Sequence, residues 1–252
     1  MSLTLDPPTI TLLVGAAFAA GFLDALAGGG GLITLPALLA VGLPPINALA
    51  TNKAQAVFGV ATSTVTLARK GAISVSEIRR PAVFSLTGAA VGALVVQRID
   101  VSVLNAVIPV ALGGIAMYFL FIGNAGVHEF APRLREARFD TTVVPVIGFY
   151  DGAIGPGTGS LFATAGVVLR GRDIVSATTH AKPLNFASNL AALVVFVAGG
   201  SVVWRVGLIM IAGQAVGSYL GARTILTRGT KLIRPLIVIA ASIMLAAHFG
   251  VI

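Results

Sequence analysis

Two lysines lie inside long apolar stretches: Lys53 in Ala50-Thr51-Asn52-Lys53-Ala54-Gln55, and Lys182 in Thr179-His180-Ala181-Lys182-Pro183-Leu184-Asn185. A charge at the centre of a hydrophobic span costs roughly 3 kcal/mol or more unless it is paired or hydrated. Bearing that cost twice, at matching places, points to a use, and the direct use is to hold an anion within a membrane. The structural alternative is snorkelling. Each lysine lies about 10 Å into its segment, and its stem can carry the ammonium toward the headgroups. Thr51, Asn52 and Gln55 flank the first lysine; Thr178, Thr179 and Asn185 flank the second. Such side chains can line a polar cavity.

Two glycine-rich interruptions accompany the lysines. Gly28-Gly29-Gly30-Gly31 breaks the first apolar stretch, and Gly155-Pro156-Gly157-Thr158-Gly159 breaks its counterpart, followed by Ser160. Glycine releases the helix and lets bare backbone approach a ligand. The short helices that follow, expected from Leu32 and Ser160, begin with unsatisfied N–H groups and a partial positive charge, a ready anion site. The bland alternative is a flexible turn or close helix packing. No Gly-Lys-Ser/Thr ending follows either run, so neither reads as a nucleotide loop. Asp24 and Asp151 precede the two breaks. They read as caps on the freed backbone, or as a proton relay or counter-charge for the lysines. His180 is a candidate coupling or gating group near neutral pH. It lies two residues from Lys182 and so points to another helix face, where packing is the simpler role.

The elements that must position these groups are membrane helices. The 252 residues are 56% hydrophobic and 10% charged, with mean hydropathy +0.96, whereas soluble domains carry about 25% charged residues. The apolar runs are about 20 residues long without the period-two alternation of a membrane barrel. The net charge of +8 reads as basic cytoplasmic loops, not as a nucleic-acid surface. The chain has no cysteine, which excludes disulfides and thiolate metal sites. Its three histidines are scattered, so no metal centre or other cofactor is expected. The start, Met1 to Asp6, lacks the basic region of a signal peptide, and no cleavage is expected.

The chain is internally duplicated. Gly21-Phe22-Leu23-Asp24 matches Gly148-Phe149-Tyr150-Asp151, Lys53 matches Lys182, and Gly88 and Gly92 match Gly217 and Gly221. The halves are residues 1–125 and 141–252, joined by a charged cytoplasmic linker over 126–140. Half one reads as Ile10–Ala27, the break, a short Leu32–Val41, then Ile46–Ala68, Val75–Val96 and Val101–Ile122. Half two reads as Thr142–Ile154, the break, Ser160–Leu169, then Ile174–Ala198, Val203–Leu226 and Leu232–Ile252. Gly88-x-x-x-Gly92 and Gly217-x-x-x-Gly221 are small-residue packing faces. The expected fold is an all-α integral membrane protein of two inverted repeats. Each repeat is a re-entrant or broken helix pair followed by three transmembrane helices. This places 13 of the 17 basic residues on the cytoplasmic side, as the positive-inside rule requires. If Ile10–Ala27 crosses fully, eight nominal spans with parallel halves result, and the loop charges fit less well.

The motifs also carry a resemblance. Asp24-Ala25-Leu26-Ala27-Gly28-Gly29-Gly30-Gly31-Leu32-Ile33-Thr34-Leu35-Pro36, then Ala48-Leu49-Ala50-Thr51-Asn52-Lys53-Ala54-Gln55 with Arg69-Lys70-Gly71, and in half two Ala181-Lys182-Pro183-Leu184-Asn185-Phe186-Ala187-Ser188-Asn189-Leu190-Ala191-Ala192-Leu193, resemble the signatures of the sulfite exporter TauE/SafE family. The second glycine run departs from the first at Pro156 and Thr158. The resemblance implies a multi-pass transporter of the prokaryotic cytoplasmic membrane, carrying sulfite, sulfonates or related anions. From the residues themselves, a secondary transporter exporting a small anion stands first. A proton-coupled or cation carrier using Asp24 and Asp151 is the alternative within transport. A non-transport intramembrane enzyme or subunit is the alternative outside it; Ser176, Ser188, His180 and Asp173 show no recognised nucleophile–base spacing.

Overall fold

The computed structural model describes residues 5–122 and 131–228. Among these the chain is helical throughout. Helix α1 (Pro7–Ala27) starts behind the Asp6 cap, whose carboxylate accepts the Thr9 N–H at 3.1 Å, with proline in the first turn. It ends where Gly28 turns left-handed at φ 78° and donates its N–H to the Asp24 carbonyl. α2 (Gly31–Ala40) is short, and α3 (Pro45–Arg69), α4 (Val75–Val96) and α5 (Val101–Ile122) complete the first half. In the second half a three-residue α6 (Glu136–Arg138) passes through a π-helical turn (Phe139–Val143) into α7 (Val144–Ala153). Then come α8 (Thr158–Arg170), α9 (Ile174–Ala198) and α10 (Trp204–Arg228). The expected last segment, Leu232–Ile252, lies outside the described residues.

Most boundaries lie within two residues of those expected from the sequence. Helix begins at Glu136, inside the stretch read as linker, because the π turn carries helical backbone across polar residues that no apolar period reveals. Both breaks fall at the glycine runs, and the short helices begin at Gly31 and Thr158 rather than at Leu32 and Ser160.

The order of elements repeats, and so do the contacts. α1 lies along α10, and its counterpart α7 lies along α4. The matched glycines make these contacts close. A Cβ on Gly88 or Gly92 would meet the backbone of Pro145 or Phe149, and one on Gly217 or Gly221 would meet the backbone of Phe18 or Phe22. The start of α3 meets the end of α9, where Asn47 donates to the Ser201 carbonyl at 2.8 Å. The start of α9 meets the start of α4, through His180 and Glu77 at 3.0 Å.

The polarity of the molecule is reversed relative to a soluble domain. Val110 is 75% exposed, while Lys53 is 2% and Lys182 0% exposed. Apolar side chains such as Val83, Leu94, Val194 and Leu208 face outward. Charged and amide groups face one another inside, which is stable only where the surroundings are apolar. Three described helices, α1, α4 and α9, are long and apolar enough to cross a membrane by length and composition. This is a multi-pass, all-α membrane protein.

Candidate functional site

The two glycine breaks meet. A Cβ on Gly28 would fall 2.3 Å from the Gly159 carbonyl carbon and the Ser160 nitrogen, and one on Gly31 would fall 3.0 Å from Pro156. Gly28, Gly155 and Gly157 all have φ between 78° and 99°, where a side chain is strained. Glycine is therefore required twice over at Gly28, for its turn and for the approach of the other repeat. The Ser160 hydroxyl donates to the Ala27 carbonyl across the contact.

Around this contact the charges pair between repeats. Lys53 on α3 donates to Asp151 Oδ1 on α7 at 2.7 Å, with both side chains buried. Lys182 on α9 donates to the backbone carbonyl of Asp24 on α1, and its ammonium is 3.9 Å from Asp24 Oδ2. The counter-charge role of the aspartates is thus the one their positions fit, and Asp24 also caps: its Oδ1 accepts the Gly30 N–H at 3.4 Å. The two pairs are not equal. Asp151 also accepts from the Thr158 hydroxyl at 2.8 Å and from Asn189 Nδ2 at 2.9 Å. Asp24 Oδ2 is buried without a hydrogen-bond partner among the described residues.

A small polar cavity, with room for water-sized groups only, lies between the breaks. Its walls are Asp24, Gly28, Gly30 and Gly31 from the first repeat's break, and Asp151, Gly155, Gly157, Thr158 and Gly159 from the second's. α3 adds Asn52 and Gln55, α9 adds Asn185 and Asn189, and α10 adds Gln214. Most of the residues singled out from the sequence are therefore brought together. Lys53 and Lys182 stand behind the carboxylates instead of lining the space, and Gly29, Thr51 and Ser160 are also set back. Thr51 instead accepts the Val203 N–H at 3.0 Å. His180 belongs to a separate cleft with Glu77, Glu136, Asp140, Arg170 and Arg172.

Sequence reasoning did not assign Asn189, Gln214 or Thr34 to the site, although Thr34 and Asn189 lie within the motifs quoted above. Thr34 donates to Asn52 Oδ1 at 2.6 Å, and Gln55 Nε2 donates to the same oxygen at 2.9 Å. The available signal was the one that marked the lysines, a polar side chain in an apolar helix. An amide costs less there than a charge, so it stands out less.

The comparisons agree with this architecture. The model of the family described as Sulfite exporter TauE/SafE matches residues 13–247. A probable membrane transporter protein of Haemophilus influenzae is 43% identical over 246 residues, covering 98% of this chain and 96% of that one. Probable membrane transporter protein ORF9 of a Sinorhizobium species is 45% identical over 232 residues, covering 92% and 89%. Probable membrane transporter protein YfcA of Escherichia coli K12 is 41% identical over 241 residues, covering 96% and 90%. No solved structure matches the chain. With broken helix pairs meeting at a buried polar cavity and relatives aligned over nearly its whole length, the chain belongs to the sulfite exporter TauE/SafE family of membrane transporters.

Proposed function

We propose that the protein is a secondary transporter that carries a small oxyanion, such as sulfite or an organosulfonate, outward across the cytoplasmic membrane of a prokaryote. The observation that carries this reading is the meeting of two short helices, by their first turns, at one buried cavity. First-turn N–H groups have no preceding turn to accept them, and the helix dipole adds positive potential there. Gly31 and Gly159 bring such N–H groups to the cavity, and Asn52 and Asn185, whose Oδ1 atoms already accept from Thr34 and Asn189, bring side-chain amide nitrogens. Together they can replace the hydration of an oxyanion on all sides. Lys53 and Lys182 act from behind, each balancing an aspartate of the other repeat, so that the empty centre is not a bare positive charge.

The transport cycle follows from the repeats. α3 and α9 meet start to end, while α1 with α10 and α4 with α7 run side by side in the same sense. Equivalent helices of inverted repeats would meet in this way, with the binding site near the bilayer midplane. The space between the walls takes only water-sized groups, so an oxyanion enters by parting the helix pairs. Rocking of one set against the other then exposes the same site to each side in turn.

The test is a titration of the detergent-purified chain with sulfite, sulfate, methanesulfonate and acetate, followed by uptake into sealed liposomes. A bound anion at about 100 times its Kd should stabilise the fold by about 2.7 kcal/mol and should show saturable flux. If none of the four stabilises the protein and none crosses, the anion reading fails.

A further inference from the structure

We propose that each anion enters the cavity together with one proton, held at the free carboxylate oxygen of Asp24. The proposal rests on the anion-transport reading above and specifies its coupling.

The first argument is charge balance. Two lysines and two aspartates form the centre, and they sum to zero. An anion arriving alone leaves an uncompensated negative charge in a buried site, which is costly. An anion arriving with a proton leaves the sum at zero.

The second argument identifies where the proton goes. Three acceptor oxygens on the cavity walls are buried without a hydrogen-bond partner among the described residues: Asp24 Oδ2, Gln55 Oε1 and Gln214 Oε1. Their residues are 7%, 1% and 2% exposed. Water-sized space adjoins all three residues, and of the three oxygens only the carboxylate's can itself carry a proton. A sulfonate has no proton of its own to offer. A proton on Asp24 Oδ2 supplies a donor to the anion's own oxygen and turns a like-charge contact into an O–H···O⁻ bond.

The third argument is the inequality of the two aspartates. Asp151 is held by Lys53, Thr158 and Asn189 at 2.7–2.9 Å, and protonating it would break the direct bond from Lys53. Lys182 instead holds the backbone carbonyl of Asp24, so the Asp24 carboxyl can be protonated while its helix stays anchored. Among the described residues, no other carboxylate oxygen on the cavity lacks a hydrogen bond. α9 presents Lys182 at 3.9 Å, and the wall across the cavity carries Asp151 with Lys53. α10 presents neutral Gln214 and Ser218, and the two breaks present glycines, Thr158 and Ser160.

Methanesulfonate is a suitable probe, because it carries a single negative charge and takes up no proton near neutral pH. Calorimetric titration of the full-length chain in two buffers of different ionisation enthalpy counts the protons absorbed on binding. The expected result is close to one proton per anion, with affinity falling nearly tenfold per pH unit on the alkaline side. Asp24→Asn should bind with neither proton uptake nor pH slope, since its amide donates permanently. Binding by the unaltered protein without proton uptake would overturn the proposal even if no variant could be purified, and so would uptake unchanged in Asp24→Asn. Absence of binding by methanesulfonate and by the three other anions of the titration above, at any pH, would overturn the anion reading and this inference with it.

Discussion

At the scale of single residues, the directly bonded charges of the centre are more easily removed in pairs than singly. Lys53 and Asp151 are both buried and bonded directly. Deleting one partner of such a pair leaves an uncompensated charge and costs about 3–5 kcal/mol, whereas replacing both costs far less. Lys53→Gln should therefore lower the folded yield sharply, and Lys53→Gln with Asp151→Asn should recover most of it. Thermal unfolding of the purified variants measures this, and a double variant no better than the single would contradict the pairing. Lys182→Gln should be milder, because that lysine bonds a carbonyl and stands 3.9 Å from the Asp24 carboxylate. The lysines themselves were legible in the sequence, since a charge in an apolar run announces itself. Their partners were not: Lys53 and Asp151 are 98 residues apart, and Lys182 and Asp24 are 158 apart, and no local pattern records which aspartate meets which lysine. The positions of the lysines behind the carboxylates, and the roles of Asn189 and Gln214 in front, follow from the crossing of four helices and appear only in three dimensions.

At the scale of elements, the breaks matter more than the helices they interrupt. Gly28→Ala would place a methyl group 2.3 Å from the Gly159 backbone at a left-handed φ. Neither backbone can yield without moving a whole helix pair, so this variant should fail to fold or lose anion binding. Gly15→Ala, on the same helix with nothing within 4 Å of its Cβ, should be neutral or slightly stabilising, since alanine favours helix by about 1 kcal/mol. Size-exclusion profiles and unfolding temperatures of the two variants would separate the effects; equal behaviour would mean that the breaks do not touch. Glycine runs, the lengths of the apolar stretches and the recurring Gly-x-x-x-Gly spacing made most of these elements legible. The π turn at Phe139–Val143 was not, because an i to i+5 bond pattern leaves no trace in hydrophobic period.

At the scale of the whole molecule, the two ends differ. Asp140, Glu77, His180 and Arg170 form a charged cleft at one end, with Glu136 3.7 Å from Arg170. The duplicated positions in the other repeat are Leu13, Val206, Thr51 and Val41, and Leu13 and Val206 pack with Leu49, Phe196 and Met210 in the larger apolar cluster. Half-exposed ion pairs contribute about 0–1 kcal/mol each, whereas burying each large apolar side chain contributes about 1.5–3 kcal/mol. The charged end is therefore the thinner seal. It also carries Arg80, Arg170 and Arg172, as expected of a cytoplasmic face. The absence of cysteine makes this testable. Exposed Ser76→Cys and Glu136→Cys should label from the cytoplasm, and exposed Ser102→Cys from the outside. Labelling of Ser76→Cys and Ser102→Cys from one side would refute the orientation.

The exchange of partners between repeats constrains the life of the chain as well as its working form. Asp24 leaves the ribosome 158 residues before the lysine that holds it, and Lys53 98 residues before its aspartate, so the first half is made without the partners its central charges have in the finished fold. The same arithmetic bears on origins. A protein of half this length could match its aspartate and lysine only by meeting a second copy of itself. Gene fusion would then have turned a bond between two molecules into a bond within one, and only after fusion could the two aspartates diverge, one kept as a strut and the other left free.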